Sequence, residues 1–428
     1  MTADPGHREA HRAIDAVWRI ESPRLVAGLV RMVRDVDLAE ELAQDALVAA
    51  LEHWPADGVP DNPGAWLMAT AKRRAIDRMR RNTLVRNKHE AHGHELEGQT
   101  MGTIGKPPDD DDRLEDDIGD DLLRLLFTAC HPALSTEAQV ALTLRLLGGL
   151  ATDEIARAFL QPEATVAQRI VRAKRTLAER KVPYEVPRRE ELPARLSTVL
   201  GVIYLIYNEG YAATAGDDWM RPALCEEAMR LGRVLAGLLP HEPEVFGLVA
   251  LMEIQASRTK ARTAGDGTPV PLLEQDRSRW DRLLIGHGLA ALAHAERLGG
   301  ADGAYALQAA IAACHARAPT AEATDWRRIA ALYARLAQFA PSPVVELNRA
   351  VAVSMASGPA AGLALVEALA AEPALRHYHL LPAVRGDLLW KLERHDEARI
   401  EFERAAALTR NARERALLMA RAAKPAGR

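Results

Sequence analysis

Aromatic residues, cysteines and long apolar runs are all scarce in this chain. Phe, Trp and Tyr make up 4% of the 428 residues, and Ala dominates many segments, which favours helices over sheets. Cys130, Cys225 and Cys314 are odd in number and widely separated, which indicates neither a disulfide framework nor a CxxC metal knuckle. The chain has no apolar signal core at its start and no run of about 18 apolar residues to cross a membrane. We therefore expect a cytoplasmic protein with an all-α fold.

Charge is distributed in blocks that the net value of −4 conceals. Residues 72–88 are strongly basic, and residues 169–181 are basic again. Between them, residues 109–121 contain nine Asp or Glu against one Arg. Such asymmetry indicates separate surfaces with different partners.

The pattern of apolar and polar segments divides the chain into four regions. We expect two small helical domains, joined by an acidic flexible linker and followed by a long array of helical hairpins like tetratricopeptide repeats. The predicted boundaries are 8–86, 87–119, 120–182 and 190–428.

Residues 152–180 have the pattern of a helix-turn-helix. We expect Thr152 to cap the leading helix, Pro162 to lie in the turn and Ser135 to cap the helix before this pair. At 100° per residue, one arc of the second helix is apolar and another carries Arg, Gln and Thr. Arg can bind guanine edges and Gln can bind adenine in the major groove. A plain helical hairpin with solvated charges is the alternative.

The helix over 38–54 also has two faces. Its apolar side is formed by Leu42, Ala43, Ala46, Ala50 and Trp54. The opposite side is acidic, and it is either a solvated face or a docking surface for a basic protein.

A strongly cationic helix follows the next loop. Trp66 leads into the segment AKRRAIDRMRR, which could hold a DNA backbone while the preceding loop receives unstacked bases. The alternative is an ordinary charged surface helix.

Together these segments resemble bacterial sigma factors of the extracytoplasmic-function type. The first conserved domain is matched by DVDLAEELAQDALVAALEHW and NPGAWLMATAKRRAIDRMRR, and the second by EAQVALTLRLLGGLATDEIARAFLQPEATVAQRIVRAKRTL. The phrases LFTACHPAL, YNEGY and LLEQDRSRWD resemble a subgroup with a tetratricopeptide-like C-terminal extension, whose genes often lie beside those of DGPF/YCII-type proteins. Unlike primary sigma factors, the chain has few aromatics near the basic helix.

The resemblance implies the partners and the residues that bind them. RNA polymerase core, through its β and β′ subunits, and promoter DNA would be the partners. The expected polymerase-binding residues are Asp37, Glu41, Gln44, Asp45 and Val48. The expected minus-ten contacts are Asp61, Asn62, Trp66, Lys72, Arg73 and Arg78. The expected minus-thirty-five contacts are Thr165, Gln168, Arg169, Arg172, Lys174 and Arg175.

The C-terminal region is predicted to stack helical hairpins. Its clearest unit places Gly386 where two helices touch and Ala398, Phe402 and Ala405 along the second helix. Such repeats bind a peptide or protein, which suggests a regulatory or assisting role. Glu209, Asp276 and Asp281 are candidates for catalytic carboxylates, or for buried polar packing.

Three functional hypotheses remain. The first is a sigma factor that directs polymerase core to promoters and initiates transcription. The second is a helix-turn-helix regulator on a tetratricopeptide scaffold that acts without polymerase. An enzyme with a DNA-binding appendage is the third, but no nucleophile–base pattern or phosphate loop supports it. We expect no enzyme activity, cofactor or metal, since His89, His92 and His94 have no accompanying ligands.

Overall fold

The computed structural model describes residues 5–90, 111–265 and 267–424, without the side chains of residues 5–13, 15, 19, 82–90 and 111–119. The described residues are almost entirely helical, with two short strands, so the all-α prediction is confirmed. The chain divides into two compact units, residues 1–202 (unit 1) and residues 203–428 (unit 2). Among the described residues, no helix has both the length and the apolar character needed to span a bilayer.

Unit 1 begins with a three-helix bundle. Its helices are α1 (Pro5–Val33), α2 (Val36–Asp57) and α3 (Pro63–Glu90). The carboxylate of Asp35 accepts the N–H groups of Asp37 and Leu38, which starts α2. Gly58, with φ of +86°, ends that helix in a conformation that suits a residue without a Cβ. The side chain of Asn62 accepts the N–H of Ala65 at 2.9 Å and caps α3.

The second half of unit 1 is built from shorter helices. They are α4 (Asp111–Ala129), α5 (Thr136–Leu146), α6 (Thr152–Ala158), α7 (Glu163–Glu179) and α8 (Leu192–Tyr211), the last of which continues into unit 2. Ser135 caps α5 and Pro162 stands at the N-cap of α7, so both predictions are confirmed. The cap predicted for Thr152 is wrong. Ala151 occupies the N-cap position of α6, and its N–H donates to the carboxylate of Glu154 at 2.8 Å.

The predicted flexible linker over 87–119 falls mostly outside the described residues. Its two ends are helical, because α3 continues to Glu90 and α4 begins at Asp111. Acidic residues at the start of α4 suit the positive end of the helix dipole. The four domain boundaries stay predictions.

The two halves of unit 1 pack against each other. The hydroxyl of Tyr184 lies 2.9 Å from the carbonyl oxygen of Ala27 on α1 and 2.8 Å from that of Asp121 on α4, so it can donate to either. Arg31 lies 3.3 Å from the carboxylate of Asp121, which is 3% exposed. Burial raises the pKa of Tyr184, so its hydroxyl keeps its proton and stays a donor. These contacts join α1 to α4 and to the segment that follows α7.

Unit 2 is a series of helical hairpins. In chain order its elements are β1 (Ala215–Gly216), α9 (Pro222–Leu238), α10 (Pro243–Ala256), α11 (Arg282–Arg297), α12 (Ala304–Arg317), α13 (Trp326–Phe339), α14 (Pro343–Ser357), α15 (Pro359–Ala368), α16 (Leu380–Lys391), α17 (His395–Leu408), β2 (Arg410–Asn411) and α18 (Ala412–Ala422). A Cβ placed on Gly386 would lie 3.0 Å from the ring of Phe402, so α16 and α17 touch where the sequence predicts.

The beginning and the end of unit 2 are joined. Strand β1 pairs in parallel with β2, so that Ala215 faces Arg410 and Gly216 faces Asn411. The buried amide of Asn411 donates to the carbonyl oxygens of Ala213 at 3.2 Å and Asp218 at 3.1 Å. The loop after α8 is therefore held directly by the loop before α18.

Candidate polymerase and DNA interface

Helix α2 separates apolar and acidic side chains as its sequence predicts. The predicted apolar side, from Leu42 to Trp54, is buried in the bundle. Of the expected polymerase-binding residues, Asp37, Glu41, Gln44 and Val48 are exposed and Asp45 is half-buried. These five residues and Glu40 form what we name the α2 acidic face.

Arginines of α3 pair with this face. Arg78 donates to the carboxylate of Glu41 at 2.6 Å, and this hydrogen bond raises the pKa of the Arg78 guanidinium. Arg74 donates to the carbonyl oxygen of Asp45 at 2.6 Å and lies 3.6 Å from its carboxylate. The structure thus brings Arg78, an expected minus-ten contact, onto Glu41, an expected polymerase contact, and places Arg74 on Asp45.

A second set of cations reaches the α2 acidic face from α5 and α7. Glu40 is only 7% exposed, and its carboxylate lies 2.5 Å from Arg145 and 2.6 Å from Lys174. Lys174 also lies 2.8 Å from the carboxylate of Asp37. Burial opposes the charge of Lys174, yet the two carboxylates raise its pKa overall. Lys174, an expected minus-thirty-five contact, therefore points at α2 in this structure.

Glu40 and Arg145 are site residues that sequence reasoning missed. One signal could have found Arg145: it is the only basic residue of α5, a helix that is otherwise mostly buried. A charge on such a helix normally requires a partner. No local spacing could have identified that partner, because Glu40 lies 105 residues earlier.

The loop before α3 and the start of that helix hold the other expected minus-ten residues. Asp61 and Asn62 are exposed, and Asn62 is partly occupied by capping α3. The ring of Trp66 is half-buried and meets the buried Trp54 edge to face, with centroids 5.3 Å apart. Lys72 and Arg73 are exposed, one turn and more beyond Trp66. A half-exposed indole on the same helix as exposed cations can receive a base while the cations hold phosphates.

Helix α7 also follows its predicted arcs. Val166, Ile170, Ala173 and Leu177 are buried, as the apolar arc requires. Thr165, Gln168 and Arg172 are exposed, and their side chains have no polar partner among the residues that the structure describes.

The remaining basic residues of α7 are engaged locally. The guanidinium of Arg169 donates to Gln161 at 2.8 Å, and that of Arg175 donates to Glu179 at 2.7 Å. Helix α7 therefore offers a mixed Thr, Gln and Arg surface backed by a rigid apolar stripe, which is what major-groove recognition requires.

Comparison with known protein families agrees with this division. Residues 18–84 match the model of sigma-70 region 2, and residues 124–177 match that of sigma-70 region 4. Residues 195–296 match a family of unknown function, DUF6596. The chain belongs to the sigma factors of the extracytoplasmic-function type that carry a C-terminal extension.

One relative aligns with the chain across all three family matches. An uncharacterized protein of Rhizobium meliloti (strain 1021) is 43% identical over 410 residues, which cover 95% of this chain and 94% of the relative. No solved structure matches the chain at a significant level. The region 2 match includes α2 and most of α3, and the region 4 match includes α5, α6 and most of α7.

Family membership sets the general activity of this sigma factor. It acts in transcription initiation, with RNA polymerase core and promoter DNA as its partners. Sigma factor families are not enzymes. Of the candidate carboxylates, Glu209 pairs with Arg221, Asp276 caps the 3-10 helix Arg277–Arg279 and Asp281 caps α11. The three histidines singled out for metal lie outside the part whose side chains are described.

Proposed function

We propose that this sigma factor divides its work between the two halves of unit 1 at the residues named above. The α2 acidic face binds the polymerase core, the loop and basic helix around Trp66 handle the minus-ten strand, and α7 reads the minus-thirty-five element. The cytoplasm is the compartment where these partners meet.

The observation that carries the proposal is the free side of α7. Arg172 and Gln168 are exposed without a described partner, whereas the same helix buries a full apolar stripe. A solvated surface helix needs no such combination of amide, hydroxyl and guanidinium groups. Base-edge recognition does, since each bidentate contact contributes about 1–3 kcal/mol of discrimination.

The charge pairs on the α2 acidic face support a polymerase partner of basic character. Glu40, Asp37 and Glu41 already bind cations of this chain. A partner that supplies its own cations would replace each internal ion pair with an intermolecular one, so the exchange costs little net free energy. Docking would then release Lys174 toward promoter phosphates.

The minus-ten proposal rests on Trp66 and the loop before it. Asp61 and Asn62 are exposed at the mouth of the loop, and Lys72 and Arg73 lie on the same helix as Trp66. Extruding one base costs a few kcal/mol, which stacking and phosphate contacts can offset without ATP.

The C-terminal extension is proposed to regulate or assist initiation through its hairpin repeats. We keep the boundaries 8–86, 87–119, 120–182 and 190–428 for the four regions. Cutting the chain after Pro187 should leave folded DNA-reading domains and change the transcriptional output. Unchanged output from the shortened chain would make the extension dispensable.

Transcription in vitro tests the main proposal. Full-length protein added to purified polymerase core should start transcripts from a promoter of its own regulon, and core alone should not. The matched control is the same chain with Asp37→Lys and Glu41→Lys, which should bind promoter DNA weakly and fail to recruit core. Operator binding as a free dimer, with no effect of core, would instead support the polymerase-independent regulator.

A further inference from the structure

Unit 2 concentrates the tyrosines of the chain. Six of the seven lie in it, on elements as distant in sequence as α8 and the segment before α16. Tyr204, Tyr211, Tyr305, Tyr333 and Tyr378 are each half-buried, so each keeps part of its ring accessible within a packed surrounding. Aromatic side chains make up only 4% of the chain, which makes this convergence specific.

The rings of Tyr204 and Tyr305 meet edge to face with centroids 5.4 Å apart, and the hydroxyl of Tyr204 lies 3.3 Å from the amide oxygen of Gln308. Burial and then the neighbouring Tyr204 raise the pKa of Tyr333 to about 12. Burial also raises the pKa of Tyr305 and Tyr378, with a further contribution from Tyr204. These phenols therefore stay protonated and can donate hydrogen bonds.

Three arginines lie beside the tyrosines. The guanidinium of Arg262 lies 3.4 Å from the ring centroid of Tyr211 and 4.4 Å from that of Trp219. Arg258 donates to the hydroxyl of Tyr211 at 2.6 Å and lies 5.8 Å from the ring of Trp280. Aromatic faces stabilise these cations only in part.

The third arginine, Arg277, lies 4.9 Å from the ring of Trp280 and donates to the carbonyl oxygens of His315 and Ala318. We refer to Tyr204, Tyr211, Arg258, Trp280, Tyr305 and Tyr333 together as the tyrosine–arginine cluster.

No described carboxylate forms an ion pair with Arg258, Arg262 or Arg277. Two buried acidic groups nearby are committed elsewhere. Glu253 pairs with Arg233 at 2.7 Å. Glu244 accepts the N–H groups of Tyr305 and Ala306 at the start of α12. Burial lowers the pKa of Arg277, and the exposed Glu322 opposes that shift electrostatically but forms no ion pair with Arg277. Largely or partly buried positive charges without an ion-paired carboxylate are costly, and an anionic ligand would lower that cost.

Two buried donors in the same place lack a partner among the described residues. The indole N–H of Trp280, a residue 3% exposed, and the Nε–H of Arg277, a residue 8% exposed, each have no acceptor. Buried polar groups are nearly always hydrogen-bonded, so an unsatisfied pair beside an uncompensated cation indicates a missing acceptor.

From this geometry we propose that unit 2 binds an organic carboxylate that carries an aromatic ring, at the tyrosine–arginine cluster. The carboxylate pairs with Arg258 and accepts the indole N–H of Trp280. The aromatic ring packs against Tyr305 and Tyr333. The proposal concerns unit 2 alone and does not depend on how unit 1 binds polymerase or DNA.

Calorimetric titration of the full-length chain tests the proposal. N-acetyl-L-phenylalanine should bind with a Kd at or below about 1 mM. Its amide, N-acetyl-L-phenylalaninamide, has the same ring without the charge and should bind at least about tenfold more weakly, because the charge-assisted hydrogen bonds are lost. No binding of the acid up to about 10 mM, or equal binding of acid and amide, would overturn the proposal.

Variants locate the site. Arg258→Gln should weaken binding of the acid about tenfold, whereas Arg399→Gln, which removes an exposed arginine of α17, should leave it unchanged. If Arg258→Gln does not fold, Trp280→Phe keeps the ring and removes only the indole N–H, and it should weaken binding about fivefold. Binding that is unaffected by the folded variants rejects this location.

Two further probes identify the source of the carboxylate. Acetyl-Gly-Gly-Phe presents it at the end of a peptide, and 4-hydroxyphenylacetate presents it on a free small molecule. Tighter binding of the peptide assigns the site to protein C-termini, and tighter binding of the small molecule assigns it to metabolites. If neither binds, the proposal fails.

Discussion

The α2 acidic face and the tyrosine–arginine cluster hold neighbouring cations in different ways. In unit 1, Lys174, Arg145 and Arg78 each bind a carboxylate of α2. In unit 2, Arg258 and Arg262 contact aromatic rings, a hydroxyl and a carbonyl oxygen instead. The cations at the α2 acidic face are therefore paired with carboxylates until a partner exchanges those ion pairs, whereas Arg258 and Arg262 form no ion pair with a described carboxylate.

The largest expected effect comes from breaking the most buried pair of unit 1. Glu40→Gln leaves Arg145 and Lys174 without their shared carboxylate in a site that is 7% exposed at Glu40. Loss of one partner from such a group should destabilise unit 1 by about 3 kcal/mol. Hydrogen exchange of the α2 amides in the intact chain measures this loss while unit 2 serves as internal reference.

Glu41→Gln is the matched control for that measurement. Its carboxylate pairs with Arg78 at 2.6 Å, but both side chains are exposed. Such an exposed pair contributes little to stability, so exchange in α2 should hardly change. Equal effects of the two substitutions would mean that burial does not distinguish the pairs.

The next effect separates free from paired cations on α7. Arg172→Ala should lower promoter affinity by about 1–3 kcal/mol for the cognate sequence, because Arg172 is exposed and unpartnered among described residues. Arg175→Ala removes a cation already paired with Glu179, and its smaller loss should be the same on every sequence. Binding to cognate and scrambled duplexes at one salt concentration decides the matter. A sequence-independent loss for Arg172→Ala would make it a phosphate contact.

Acid should affect unit 2 through His315. Burial, then Arg258 and Arg277, lower its pKa to about 3, so the folded state holds the ring neutral. The unfolded chain binds a proton near pH 6.5, and the stabilisation is complete only above that pH. It is lost as the pH falls, by about 2 kcal/mol between pH 7 and pH 5.

Hydrogen exchange of the α12 amides at several pH values measures that dependence. His315→Gln keeps a polar side chain that does not titrate, and it should flatten the profile in this helix. A profile that stays steep in the variant would assign the acid sensitivity to other groups.

The smallest effect tests whether Lys174 covers the α2 acidic face. Lys174→Met keeps the length of the side chain and releases Asp37, which Lys174 contacts at 2.8 Å. Affinity for polymerase core should rise about two- to fivefold, the scale of one ion pair to an exposed carboxylate, because Asp37 lies at the surface. Lys391→Met, which removes a cation of α16 paired with Asp387, should not change that affinity. A fall in core affinity for Lys174→Met would contradict the covering role.

Helical periodicity predicted most of the fold and the buried faces of α2 and α7. The apolar stripes of α2 and α7 were predictable because each depends only on spacing within one helix. The contact between Lys174 and Asp37 was not, since the two residues are 137 positions apart. Helix spacing places Lys174 beside the arc of α7 that is expected to contact DNA. Only the tertiary packing shows that its ammonium group instead contacts carboxylates of α2.

The N-cap residue could be predicted from the sequence for α5 but not for α6. Ser135 has no competitor and caps α5. At α6, Glu154 reaches back to the N–H of Ala151, so the helix needs no oxygen from Thr152 at the cap. Sequence reasoning could single out Tyr204, Tyr211 and Trp280 but could not place the tyrosine–arginine cluster, because its members come from five separated segments.

The pairing of β1 with β2 distinguishes the C-terminal extension from an open solenoid of repeats. In an open solenoid each repeat touches only its neighbours, so repeats can fray from either end or be added and removed in evolution. Here the hydrogen bonds of Asn411 to Ala213 and Asp218 tie the first turn to the last, over a separation of 198 residues for the longer link. Losing or duplicating one hairpin would pull these ends apart, so the number of hairpins in this extension is fixed by geometry.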